Sequence, residues 1–286
     1  TPLAAGGHVT LWPSPTLGEL AHLGTVMDET QTTFLSGVPS FWRMAERLSP
    51  PPKTPPTQVH VGSEALSLEL WQGIADWAGT HNVLNMYGLT ETANWVGGAR
   101  LDQTDGSTGF VGKPWLGDIA VLDDVGSVQS LGTGEVLLRS DAVMTGIWDD
   151  PPASKAAFHD GWLRTGDIGQ LDARGLTLKG RLKSQINRAG VKILAEEVEQ
   201  MLERHPDVAE AAGYSLPDQV SGEAVGAAVV LQPGAMITPE SLRDWCRDEV
   251  RAEAVPTRIA ILDALVRNDR GKLMRNATRD LVTGSG

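Results

Sequence analysis

The sequence predicts an α/β fold in three stretches: a parallel-sheet portion, a β-rich portion and a small α+β portion at the end. Three observations carry this. Up to Gly97, short apolar runs alternate with segments of helical periodicity, the signature of βαβ units. After Gly97 come short strands separated by Gly and Asp turns. Beyond Arg181, amphipathic helices flank two long strand-like runs.

The elements follow in order. "TTFL" reads as a buried strand and "PSFWRMAERL" as the helix after it. "SPPPKTPPT" is a stiff surface connection. "QVHVG" is a second strand, "EALSLELWQGIADWAG" a helix by its apolar spacing, and "NVLNMYG" a third strand running into a polar turn. Ligands in such sheets sit at the carboxyl ends of the strands. That places "GSEAL" and "YGLTE" at a candidate site. "DIAVLDD", "GEVLLRS", "DIGQLD" and "LTLKG" form the β-rich part. "ILAEEVEQMLERHP" is an amphipathic helix, and "VAEAAGYSLP" and "EAVGAAVVLQP" pair as strands. "TPESLRDWCRDEV" is a helix capped by Thr238. "LVRNDRGKLMRNATRD" is a basic loop leading into a short helix.

Composition narrows the function classes. The 286 residues suggest about two domains. A formal net charge of -12 argues against a nucleic-acid footprint or an anionic membrane surface as partner. Cys246 is the single cysteine, so no internal disulfide forms. No apolar run approaches the ~20 residues of a membrane span. A cytoplasmic protein is the expectation. His60, His81 and His159 are isolated and lack metal-ligand spacing.

The segment "GWLRTGDIGQLDARGLTLKGRLKSQINRAGVKI" is the most informative. In it, TGD, then 12 residues, then GR sets Asp167 against Arg181 across a strand hairpin. A carboxylate suits the paired hydroxyls of a ribose, and an arginine fork beside it can hold the sugar or a phosphate. "NMYGLTET" offers an aromatic for a base, a hydroxyl for phosphate and a carboxylate for a divalent cation. The plain alternatives are a turn cap for Asp167, a solvated loop acid for Glu91 and a solvated basic loop around Lys272.

"MYGLTE", "GEVLLRS", "GIWDDP…AFHDGWLRTGDIG", "GRLKSQINRAGVKI…EEVE" and "RGKLMR" stand in the order seen in the adenylate-forming enzymes, which this chain resembles over nearly its whole length. These are acyl-CoA synthetases, aryl-CoA ligases, luciferases and adenylation domains. Leu89, where peptide-synthetase domains usually have Pro, makes it more similar to the CoA-ligase branch. The resemblance implies a two-step ligase using ATP, Mg2+ and a thiol of CoA or of phosphopantetheine on an acyl carrier protein, with AMP released. It implies that 1–182 form the C-terminal part of a large nucleotide- and substrate-binding domain. It assigns 183–286 to a small mobile C-terminal domain. By the same resemblance Tyr87 stacks on adenine with Gly62, Ser63, Glu64 and Gly88 beside it. Thr90 touches the α-phosphate, Glu91 binds magnesium, and Asp167 holds the ribose with Arg181. Lys183 is the hinge residue, and Lys272 is the catalytic lysine of the first step.

The sequence departs from that pattern in two ways. It has no Gly/Ser/Thr-rich loop ending in lysine for the β- and γ-phosphates, and Ala195 replaces a common proline. The expectation is therefore that the chain is an incomplete fragment that turns over poorly by itself. The alternatives are a non-catalytic remnant that binds a nucleotide or a partner, and one half of a split enzyme completed by another chain. "FLSGVPS", "GSEAL" and "TANWVGG" are expected to line a pocket for a small, mostly apolar carboxylic acid.

Overall fold

Strand–helix alternation in the first hundred residues builds a four-stranded sheet in the computed structural model. The structure describes residues 3–11, 17–93, 95–104, 106–268 and 271–284. Contacts divide the chain into two units. The first comprises 1–118, 140–147 and 173–177, and the second 119–139, 148–172 and 178–286.

In the first unit the order is α1 (Leu17–Leu20), α2 (Leu23–Glu29), β1 (Phe34–Gly37), α3 (Pro39–Leu48), β2 (Gln58–Gly62), α4 (Leu68–Ala78), β3 (Val83–Gly88), β4 (Trp95–Arg100) and β5 (Phe110–Gly112). The sheet runs β1-β2-β3-β4, with the first three strands parallel and β4 antiparallel to β3. Pro39 opens α3, where a missing N–H costs nothing. Ser67 caps α4 by accepting the Leu70 N–H at 3.3 Å. The apolar stripes of these helices bury Trp42, Ala45, Trp71 and Ile74 in one core with Val59, Val61 and Val83. Two of its indoles are satisfied at their polar ends, while the buried Trp42 Nε1 has no hydrogen-bond partner among the described residues. Trp71 Nε1 donates to the Val83 carbonyl at 3.0 Å, and Trp77 Nε1 to that of Ser49 at 2.9 Å.

The second unit opens with β6 (Asp118–Leu122), whose first residue belongs to the first unit, and β7 (Val128–Gln129). Then come β8 (Gly132–Arg139), α5 (Pro151–Ala156), β9 (Phe158–His159), β10 (Trp162–Asp172) and β11 (Gly175–Arg181). Their order is β11-β10-β8-β6-β7, with β9 on β10. Residues 175–177 of β11 belong to the first unit, where Leu176 and Thr177 pair with β5. The remaining elements are β12 (Gln185–Arg188), β13 (Val191–Leu194), α6 (Ala195–Glu203), β14 (Val208–Asp218), β15 (Gly222–Leu231), α7 (Pro239–Glu249), β16 (Arg258–Ile261) and α8 (Arg275–Thr283). They form a sheet ordered β13-β12-β15-β14, with β16 parallel to β15. Val198, Met201 and Leu202 of α6 and Leu242 and Cys246 of α7 pack on Ile186, Ile193, Val225 and Val229. Thr238 caps α7 as its sequence requires, accepting the Ser241 N–H at 3.2 Å. No described helix is long and apolar enough to cross a membrane.

Two local features were not legible in the sequence. TGD is not a turn: it lies inside β10, where the pairing with β8 is broken between Arg164 and Ile168 by a bulge. Of "TANWVGG", residues 95–98 lie in β4, and Asn94 lies outside the described residues. The glycines of this segment break the apolar alternation that marks a strand.

Candidate functional site

The bulge in β10 turns Asp167 inward, and its surroundings hold it there. Gly166 takes the left-handed conformation at φ +69. The Asp167 N–H donates to Thr165 Oγ1 at 3.0 Å, and that hydroxyl donates to the Val136 carbonyl at 2.8 Å. Asp167 is 5% exposed. Arg181, the last residue of β11, donates its Nε to Asp167 Oδ1 at 2.7 Å. The hairpin spacing thus delivers the acid–arginine pair that TGD and GR imply. A carboxylate offers about four acceptor sites. The chemistry of the pair fits a diol such as a ribose.

Glu135 of β8 completes the frame. It is 7% exposed and accepts Arg164 Nε at 3.0 Å and Nη2 at 2.6 Å through Oε2, and the Gly166 N–H at 3.2 Å through Oε1. Its sequence neighbourhood, "GEVLLRS", gives no sign of this role, because Arg164 is 29 positions away. An acid at an otherwise inward-facing strand position is the only signal available.

In the first unit, the residues expected at the nucleotide lie at strand ends. Gly62 closes β2 and is buried. A Cβ there would come within 2.8 Å of the Trp95 ring and 3.1 Å of the Met86 carbonyl oxygen, so only glycine lets the indole lie against this strand end. Ser63 follows at φ +75, exposed, and Glu64 is half-buried. Tyr87 and Gly88 end β3. Tyr87 is 4% exposed, so its ring meets a base only if the groups covering it withdraw. Thr90 and Glu91 are exposed in a short 3₁₀ turn. Buried Thr92 fixes that turn: its Oγ1 accepts the Leu89 N–H at 3.0 Å and donates to the Leu89 carbonyl at 2.9 Å. The Glu91 carbonyl accepts the Met144 N–H at 2.7 Å. No group of three metal-ligating side chains gathers among the described residues. Magnesium bound with nucleotide uses one or two carboxylates plus the phosphates, a demand one exposed Glu91 meets.

Lys183 is exposed in the 3₁₀ turn Leu182–Ser184 between β11 and β12. Lys272 is exposed just before α8. Its backbone is held while its side chain reaches outward. Its N–H donates to Asn268 Oδ1 at 3.0 Å, and its carbonyl accepts the Asn268 N–H at 3.0 Å. Of the expected residues, Asp167, Arg181, Lys183 and Lys272 belong to the second unit; Gly62, Ser63, Glu64, Tyr87, Gly88, Thr90 and Glu91 belong to the first.

With this geometry in place, comparison with known proteins gives a consistent picture. Residues 1–148 match the model of the AMP-binding enzymes, and 197–272 match the AMP-binding enzyme C-terminal domain. A probable CoA ligase of Humulus lupulus is 39% identical over 68% of this chain and 37% of its own length. The oxalate–CoA ligase of Arabidopsis thaliana is 37% identical over 68% of this chain and 38% of its own. A Rhodococcus jostii CoA ligase named for a methyl-dioxo-octahydroindenyl propanoyl group is 32% identical over 90% of this chain and 49% of its own. Thus the chain spans well under two thirds of these curated relatives. Among solved structures, the o-succinylbenzoate CoA synthetase of Bacillus subtilis with its acyl-adenylate superposes with a TM-score of 0.82 at 27% identity, over 96% of this chain and 56% of that one. ATP-bound MatB of Rhodopseudomonas palustris gives 0.84 at 27% identity, over 98% and 56%.

Proposed function

Since the chain belongs to the AMP-binding, adenylate-forming enzymes, we propose that it serves ATP-dependent activation of a small carboxylic acid and transfer of the acyl group to a thiol. In the first step a carboxylate oxygen attacks the α-phosphorus of ATP, and the bond to pyrophosphate breaks. In the second a thiol sulfur attacks the acyl carbon, the bond to AMP breaks and the thiol proton is released. The observation that carries this reading is the pair of buried Asp167 and half-buried Arg181 at 2.7 Å, framed by Thr165 and Glu135. Such a pair holds a ribose without reorganising, the condition under which positioning accelerates phosphoryl chemistry.

The remaining roles are assigned on the same reading. Tyr87, with Gly62, Ser63, Glu64 and Gly88, receives the adenine. Thr90 donates to the α-phosphate. Glu91 would hold Mg2+, which neutralises phosphate charge when bound. Lys272 adds positive charge beside the α-phosphate in the first step only. Lys183 is the pivot that lets 183–286 rearrange for the thiol. CoA is the favoured acceptor, because the similar curated proteins are CoA ligases; a pantetheine-bearing carrier protein supplies the same thiol. The Trp95 ring against Gly62 is bulky and apolar, which favours a small acid.

A second reading, nucleotide binding without turnover, draws on the lack of a Gly/Ser/Thr-rich loop ending in lysine. Acid-dependent exchange of labelled pyrophosphate into ATP, across aryl, fatty and amino acids, separates the two. Exchange with any acid supports the ligase. AMP binding with no exchange selects the second reading.

A further inference from the structure

A buried ionic cluster lies between the turn that carries Lys183 and the loop that carries Lys272. Arg275, three residues after Lys272, opens α8. Its guanidinium grips Glu199 of α6 with two contacts, Nε to Oε1 and Nη2 to Oε2, both 2.6 Å. The same Nη2 reaches Glu196, one turn earlier on α6, at 3.1 Å. Glu196 Oε1 also accepts from Ser184 Oγ at 2.9 Å, and that hydroxyl lies 3.1 Å from the Arg181 carbonyl. Gly180 makes this approach possible. A Cβ there would sit 2.4 Å from Glu196 Oε2, so the glycine of the GR pair is the space into which the carboxylate fits. Both acids are nearly buried, with side chains 12% and 11% exposed. Glu199 also accepts the Gly213 N–H at 2.9 Å.

We propose that Ser184, Glu196, Glu199 and Arg275 are positioning residues that tie the Lys272 loop to the pivot turn, so that lysine and pivot move as one body. This rests on the roles proposed above for Lys183 and Lys272. A half-buried arginine bound bidentately by a nearly buried carboxylate has one low-energy arrangement and does not stretch. Without the tie, α8 and the loop before it would keep their fold but lose a fixed distance to Ser184. Surface pairs could not do this, since exposed pairs hold geometry weakly.

The test reads mechanical coupling without turnover, so it is separate from the roles themselves. Amide hydrogen exchange is followed in the whole chain for wild type, Ser184→Ala, Glu196→Gln and Ser184→Thr. Losing one hydrogen bond to a charged group should speed exchange at Gly271, Lys272 and Leu273 by about tenfold in Ser184→Ala and Glu196→Gln. Exchange in α7 should not change, and Ser184→Thr should restore the wild-type rate by keeping the hydroxyl. Unchanged exchange at those three amides overturns the proposal. So does uniform acceleration that includes α7, which would make these contacts ordinary supports of the fold. If Lys272→Ala leaves adenylation intact while the exchange coupling persists, the catalytic role fails and the tie stands.

Discussion

Asp167 and Lys272 carry opposite charges and are held in opposite ways. Asp167 is 5% exposed, paired with Arg181 at 2.7 Å, and sits on backbone pinned by Thr165 and Glu135. Lys272 has a pinned backbone but an exposed side chain. The difference teaches where preorganisation is needed. A group that grips the same sugar throughout a reaction gains from being fixed and desolvated. On the proposed reading, a group needed in only one of two steps must be able to leave, which suits an exposed side chain on a loop.

The largest expected effect breaks the fixed side of this comparison. Glu135→Ala removes the acceptor of Arg164 and of the Gly166 N–H, stranding a partly buried charge and a backbone donor. Unfolding in urea should show a loss of about 3 kcal/mol. A loss below about 1 kcal/mol would mean that Glu135 does not frame the bulge.

Lys272→Ala tests the mobile side. Its exposure predicts a stability change within about 0.5 kcal/mol. Adenylate formation should fall by about 100-fold, the cost of losing one preorganised donor. Thioester formation from supplied acyl-adenylate should change little. Equal losses in both half-reactions would return Lys272 to a solvated basic loop.

A smaller effect is expected from Lys183→Pro. Proline fixes φ near -65° and removes a donor, which hinders rotation at the turn. Single-turnover assays should find adenylation spared and thiol transfer slowed by about tenfold. Slowing of adenylation alone would place the pivot elsewhere.

The smallest effect concerns the cluster that links the two. Burial pushes the Glu199 carboxyl up to about 7 from its ordinary 4.5; Arg275 and the Gly213 N–H oppose this, and the Glu196 charge adds to it. The folded protein therefore binds a proton there that the unfolded chain releases. This contribution to stability is full below pH 4.5 and is lost as pH rises through 7. Glu199→Gln should flatten this part of the stability–pH curve, read by thermal unfolding between pH 4.5 and 7.5. An unaltered slope would show that Glu199 titrates as an ordinary acid.

How much of this was legible in the sequence depends on the range of each interaction. Asp167 and Arg181 could be paired from spacing, because a hairpin converts a fixed separation into a contact. Thr238 could be named as a cap, since capping acts over three residues. The order of motifs gave the family, which residues 1–148 and 197–272 match. Glu135, Ser184 and Glu196 could not be found, because each finds partners on other elements and each looks alone like a solvated polar residue. The bulge in β10 was hidden too, since TGD reads locally as a turn and only the pairing with β8 keeps it in a strand. The helix α4 begins at Leu68, after the Ser67 cap, and not at Glu64 where helical spacing first appears.

The central claim is that the Asp167–Arg181 pair grips a ribose, and binding of nucleotide to this chain tests it most directly. Calorimetric titration would compare AMP with its 2′,3′-dideoxy analogue, in wild type and in Asp167→Ala. Two hydroxyls bonded to a charged acceptor predict AMP binding about 100-fold tighter than the analogue in wild type. In Asp167→Ala the two nucleotides should bind equally and weakly. Equal affinity of both nucleotides for the wild-type chain, or unchanged AMP affinity in Asp167→Ala, would contradict the account.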